Sequence, residues 1–86
     1  MRVLEIQNIF REEGHIFYLR KFTGTAVIEI PTENMVTPIE FSIETSPLGQ
    51  RTIAINLLSA VNYPILPLKK AIREFILAED MKGKLP

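Results

Sequence analysis

Apolar and polar residues alternate most regularly over residues 37–45, where Ile39, Phe41 and Ile43 fall on one side and Glu40, Ser42 and Glu44 on the other. A period of two predicts a strand with one buried and one wet face. The next five residues, Ser46-Pro47-Leu48-Gly49-Gln50, fit a three-residue hairpin loop with Pro47 setting a type I turn and Gly49 in the left-handed region. The strand returning over residues 51–57 then sets Ile53 opposite Ile43, Ile55 opposite Phe41 and Leu57 opposite Ile39. Turn chemistry and apolar parity agree on this register.

Upstream, Arg11-Glu12-Glu13-Gly14 and Thr23-Gly24 punctuate β-rich runs and predict strands over residues 3–10, 15–22 and 25–30. If Thr23-Gly24 is a two-residue hairpin loop, Phe17, Leu19, Ala26, Ile28 and Ile30 share the core face. A four-residue first loop adds Leu4 and Ile6 to that face and sets Glu5 across from Arg20. Residues 58–66 are broken by Ser59, Asn62 and Pro64 and read as a connecting loop. Pro67 then suits the first position of a helix over residues 67–81, in which Leu68, Ala71, Ile72, Phe75 and Ile76 form one apolar stripe and Gly83 marks the stop. Residues 82–86 read as a frayed tail. The expected fold is therefore α+β, a single domain over residues 1–86 in which a five-stranded antiparallel meander packs against one C-terminal helix.

Composition narrows the chemistry. The 86 residues include no cysteine, which removes disulfides and thiolate metal ligands, and ten basic groups balance ten acidic ones. No apolar run reaches the ~20 residues that span a bilayer, and residues 1–10 lack the apolar core of an export signal, so the expected location is cytoplasmic and no membrane partner is expected. His15 is the only histidine. It reads as a surface residue, and with scattered glutamates it makes neither a nucleophile–base pair nor a zinc site, so no enzyme activity, metal or cofactor is expected. The charge is uneven along the chain: residues 22–50 carry Glu29, Glu33, Glu40 and Glu44 without a basic group, whereas residues 51–86 carry six basic groups against Glu74, Glu79 and Asp80.

Two features remain. By the registers above, the outer face of the first three strands carries Val3, Ile9, Ile16, Tyr18, Phe22 and Val27 beside Glu5, Gln7, Arg20 and Glu29, which is apolar for a wet surface. It is a second core layer, a protein or homodimer interface, or a platform for stacking nucleic-acid bases. In the interface reading, Ile16, Tyr18, Phe22 and Val27 form the apolar centre, and Arg20 with Glu5 fixes register. The helix places Lys69, Lys70 and Arg73 near its start and Glu79 and Asp80 near its end, against the helix dipole. The three cations are either a solvated face or a candidate anion site, receiving a carboxylate from the glutamate-bearing strands or an external phosphate.

Tyr18-Leu19-Arg20-Lys21-Phe22-Thr23-Gly24, followed by Val27, Ile28 and Ile30, resembles the central hairpin of the transcription positive-cofactor-four family. Gly49, Arg51, Ile53, Ala54 and Ile55 ahead of a terminal helix resemble the end of that domain. The resemblance covers residues 15–76 and implies a dimeric, single-stranded-DNA-binding sheet, with Tyr18 and Phe22 stacking on bases and Arg20, Lys21, Lys69, Lys70 and Arg73 on phosphates. The additional N-terminal strand, the Pro-rich segment at residues 62–67 and the balanced charge depart from that pattern.

Overall fold

The computed structural model describes residues 1–14 and 16–86; the surface assignment of His15 lies outside the described residues. Strands β1 (Arg2–Arg11), β2 (Leu19–Ile30), β3 (Glu33–Thr45) and β4 (Arg51–Leu57) form one antiparallel sheet in chain order, and helix α1 (Ile65–Met81) follows. The meander and the C-terminal helix are as expected, but the strands number four, not five. Residues 19–30 run unbroken through Thr23-Gly24, and the turn lies at Pro31-Thr32, where Ile30 pairs with Glu33. β3 accordingly starts at Glu33 rather than at residue 37.

Gly24 reads as a turn glycine and is a packing glycine. A Cβ built there would lie 2.9 Å from Ile6 Cγ2 and 3.3 Å from the Gln7 carbonyl oxygen, so the bare backbone is what lets β1 close on β2. Because the strand continues through it, Arg20 and Phe22 share the face of Ala26 and Ile28 and not the opposite one. Phe22 is buried and stacks on Phe41, with ring centroids 4.9 Å apart and planes 17° from parallel. Leu19 moves to the outer face, paired with Glu44, and Phe17 lies outside the sheet altogether.

Two bulges shift the parity of β1, between Val3 and Glu5 and between Gln7 and Phe10. Asn8, in the second, has φ 53°, a left-handed conformation that asparagine tolerates better than most residues. The bulges bring Val3, Ile6 and Ile9 to the core side and leave Phe10 exposed. Glu5 faces Val27 instead of Arg20 and accepts a hydrogen bond from Gln7 Nε2.

The β3–β4 hairpin has the expected register, with Ile39, Phe41 and Ile43 opposite Leu57, Ile55 and Ile53. Ser46 N donates to Gln50 O at 2.8 Å, closing the three-residue loop, and Gly49 has φ 84°. Leu58 N donates to Pro38 O at 3.0 Å, but Pro38 has no N–H to return the bond, and β4 ends one residue earlier.

The helix starts two residues before the expected position, with Pro67 third. Its missing N–H costs no helical bond there, because the first turn's donors lack partners in any case. Leu68, Ile72 and Ile76 are fully buried against the sheet, each contributing roughly 1.5–3 kcal/mol of burial. The helix comes closest to the two edge strands, β4 and β1, so the sheet curls around it. The tail is not frayed. Gly83, with φ 69°, donates to Asp80 O at 3.0 Å and Lys84 N to Glu79 O at 2.9 Å, a Schellman cap that turns Leu85 back onto the core.

Candidate interaction surface

The residues singled out from the sequence separate into three environments. Phe22 is core. Val27 is half-buried on the outer face between Glu5 and Val36. Ile16 and Tyr18 are 47% and 49% exposed in the turn that leads into β2. The outer face of the first three strands is thus not one apolar patch, since the continuous β2 draws Phe22 and Arg20 inward and the β1 bulges do the same to Val3 and Ile9.

Arg20 is committed to the helix. Its Nη1 and Nη2 donate to Asp80 Oδ1 and Oδ2 at 2.8 and 3.0 Å, and Arg51 Nε donates to Asp80 Oδ2 at 2.7 Å. The Asp80 side chain is only 6% exposed. The bidentate hydrogen bonds and charge of Arg20, aided by Arg51, hold the Asp80 carboxyl below its ordinary pKa against the opposing effect of burial, and Asp80 in turn raises that of Arg20. This explains an acid at the unfavourable end of the dipole: the nearby sheet cations compensate it more strongly than the helix terminus opposes it.

The three helix cations do not converge. Lys70 is exposed and Lys69 half-buried, while Arg73 Nε donates to the Ile53 carbonyl at 3.3 Å and covers the outer edge of β4. Of the base-stacking and phosphate groups considered from the sequence, Phe22 is sealed in the core and Arg20 is bonded to Asp80.

What the structure does bring together lies at one end of the sheet. Phe17 is 91% exposed and packs edge-on against Tyr18, with centroids 5.9 Å apart. Tyr18 is anchored by its carbonyl, which accepts a hydrogen bond from Thr45 N at 2.9 Å, so the aromatic turn sits beside the β3–β4 loop. Between them runs an open groove of about 750 Å³ lined by Phe17, Tyr18, Arg20, Glu44 and Pro47. Leu48, 88% exposed at the loop tip, follows Pro47. Sequence reasoning missed Phe17 by assigning it to the core. The available sign was Leu48, a large apolar residue at the tip of a turn whose neighbours already satisfy the turn's backbone requirements.

No helix is long and apolar enough to cross a membrane among the described residues. No curated protein and no solved structure matches the chain. The resemblance to the positive-cofactor-four family does not hold: the segment that carries it is half of one long strand rather than a hairpin, and a different family model matches residues 1–80, so the chain belongs to the BB_0187 family.

Proposed function

We propose that this chain is a non-enzymatic interaction domain of the cytosol that binds protein through the apolar end of its sheet, formed by the turn at residues 16–18 and the loop at Pro47-Leu48. The observation that carries this reading is Phe17, a large aromatic side chain 91% exposed on an anchored turn and bordering an open groove. Contiguous apolar surface of this kind is costly to leave in water and marks contact sites on small proteins. Relative to the expectation from sequence, the proposed contact moves from the outer face of the first three strands to their end. Ile16 and Tyr18 stay in it, and Phe17, Pro47 and Leu48 join.

A photo-crosslinking amino acid at position 17, with one at Glu33 in the opposite hairpin as control, tests the proposal in the native cell. A discrete protein adduct from position 17 and none from position 33 is expected. Absence of any adduct at position 17, or the same pattern from both positions, refutes it.

A further inference from the structure

Phe17 forms a wall of two grooves at once. On one side lies the groove of about 750 Å³ that reaches Glu44 and Pro47. On the other lies one of about 640 Å³ that reaches Arg11, Glu13 and Ile16, and Phe17 and Arg20 line both. The end of the sheet is thus a projecting aromatic ridge with a receiving groove beside it, on the same surface of the same chain.

We infer that the partner of this surface is a second copy of the chain, joined across a two-fold axis with each Phe17 seated in the other copy's groove beside Tyr18 and Pro47. The inference rests on the interaction reading above and assigns its occupant. A two-fold interface must be complementary to itself, and a ridge next to a groove meets that requirement, whereas a lone pocket or a lone projection does not. The rim also carries both signs of charge. Arg11 borders one groove and Glu44 the other, and neither has a salt-bridge partner among the described residues. Rotation about the axis can therefore set cation against carboxylate on both sides.

The area is adequate. An aromatic side chain offers about 150–250 Å², so a nearly bare Phe17 and Leu48 with half of Tyr18 and Ile16 present on the order of 500 Å² of mostly apolar surface. A stable interface takes about 800 Å² from each partner, and the polar rim accounts for the difference. The surface therefore fits a dimer of moderate affinity.

The test is sedimentation velocity of the full chain over a wide concentration range, comparing the native protein with Phe17→Asp and with Val36→Asp, an exposed residue on the outer sheet face. Circular dichroism checks that each variant is folded, as expected for exposed positions. The inference expects a reversible dimer in the native protein and in Val36→Asp, and a dissociation constant raised at least 30-fold in Phe17→Asp. It is overturned if the native protein stays monomeric throughout, or if folded Phe17→Asp dimerises as well as the native chain. A monomeric native protein that still gives a position-17 adduct to a different protein overturns the second copy as occupant and leaves the interaction reading standing. Monomer with no adduct removes both.

Discussion

Replacing Asp80 by Asn keeps the shape of the side chain and one acceptor oxygen but removes the charge that Arg20 and Arg51 share. Exposed ion pairs contribute about 0–1 kcal/mol, whereas breaking a buried pair costs about 3–5 kcal/mol. Here the acid is 6% exposed and the arginines 22% and 36%, so the site lies between those limits. The expected loss at neutral pH is about 2 kcal/mol, a shift in Tm of roughly 8–16 °C for a domain of this size. Urea unfolding followed by circular dichroism measures it, and the pH series is the sharper reading. Because the native pKa of Asp80 lies below its unfolded value, its contribution is fully present above the ordinary carboxylate range and is lost as pH falls through the lowered native value. The gap between native protein and Asp80→Asn should therefore be flat from pH 7 to about pH 5 and shrink below about pH 4. A gap under about 0.5 kcal/mol at pH 7, the size of an exposed pair, or one that persists unchanged at pH 2, refutes the ionic account.

Two other substitutions probe the sheet. Gly24→Ala should cost about 1–3 kcal/mol in urea unfolding, because the added methyl meets Ile6 Cγ2 and the β1 backbone; a change under about 0.5 kcal/mol would mean β1 does not close on β2 as described. Thr37 is 1% exposed and its hydroxyl has no hydrogen-bond partner, so Thr37→Val, which keeps the shape, should leave stability unchanged or raise it by about 1 kcal/mol, and a loss of that size would reveal a partner for the hydroxyl.

The elements legible from sequence are those in which two independent local requirements coincide. In the β3–β4 hairpin, Pro47 and Gly49 prescribe the turn and the apolar alternation prescribes the pairing, so only one register satisfies both. The Leu68, Ile72 and Ile76 stripe likewise marks the helix face that is buried. Gly24 failed because glycine answers two different needs. A left-handed turn and a close backbone approach leave the same trace in a sequence, and only the position of Ile6, distant in the chain, distinguishes them. That one residue reverses the face of Arg20 and Phe22, which is why the candidate surface was misplaced while the core residues Ala26, Ile28 and Ile39 were not. The β1 bulges are illegible for a related reason, since an extra residue changes parity without changing composition. Asp80 showed itself as a charge in an unfavourable place, but its partners lie on the sheet, and no spacing rule connects them.

The salt bridge between Arg20 and Asp80 joins residues 60 positions apart, while every strand pairs only with its neighbour in sequence. During synthesis the meander can pair as it emerges, but Leu68, Ile72, Ile76 and the carboxylate that anchors them are made last. Until then the inner face of the sheet has no cover, and the nascent chain presents Phe22, Ile28, Ile39 and Phe41 to its surroundings. The final segment of the chain thus acts as its own lid against aggregation, and a premature stop before residue 80 removes the means of closing it even where all four strands are intact.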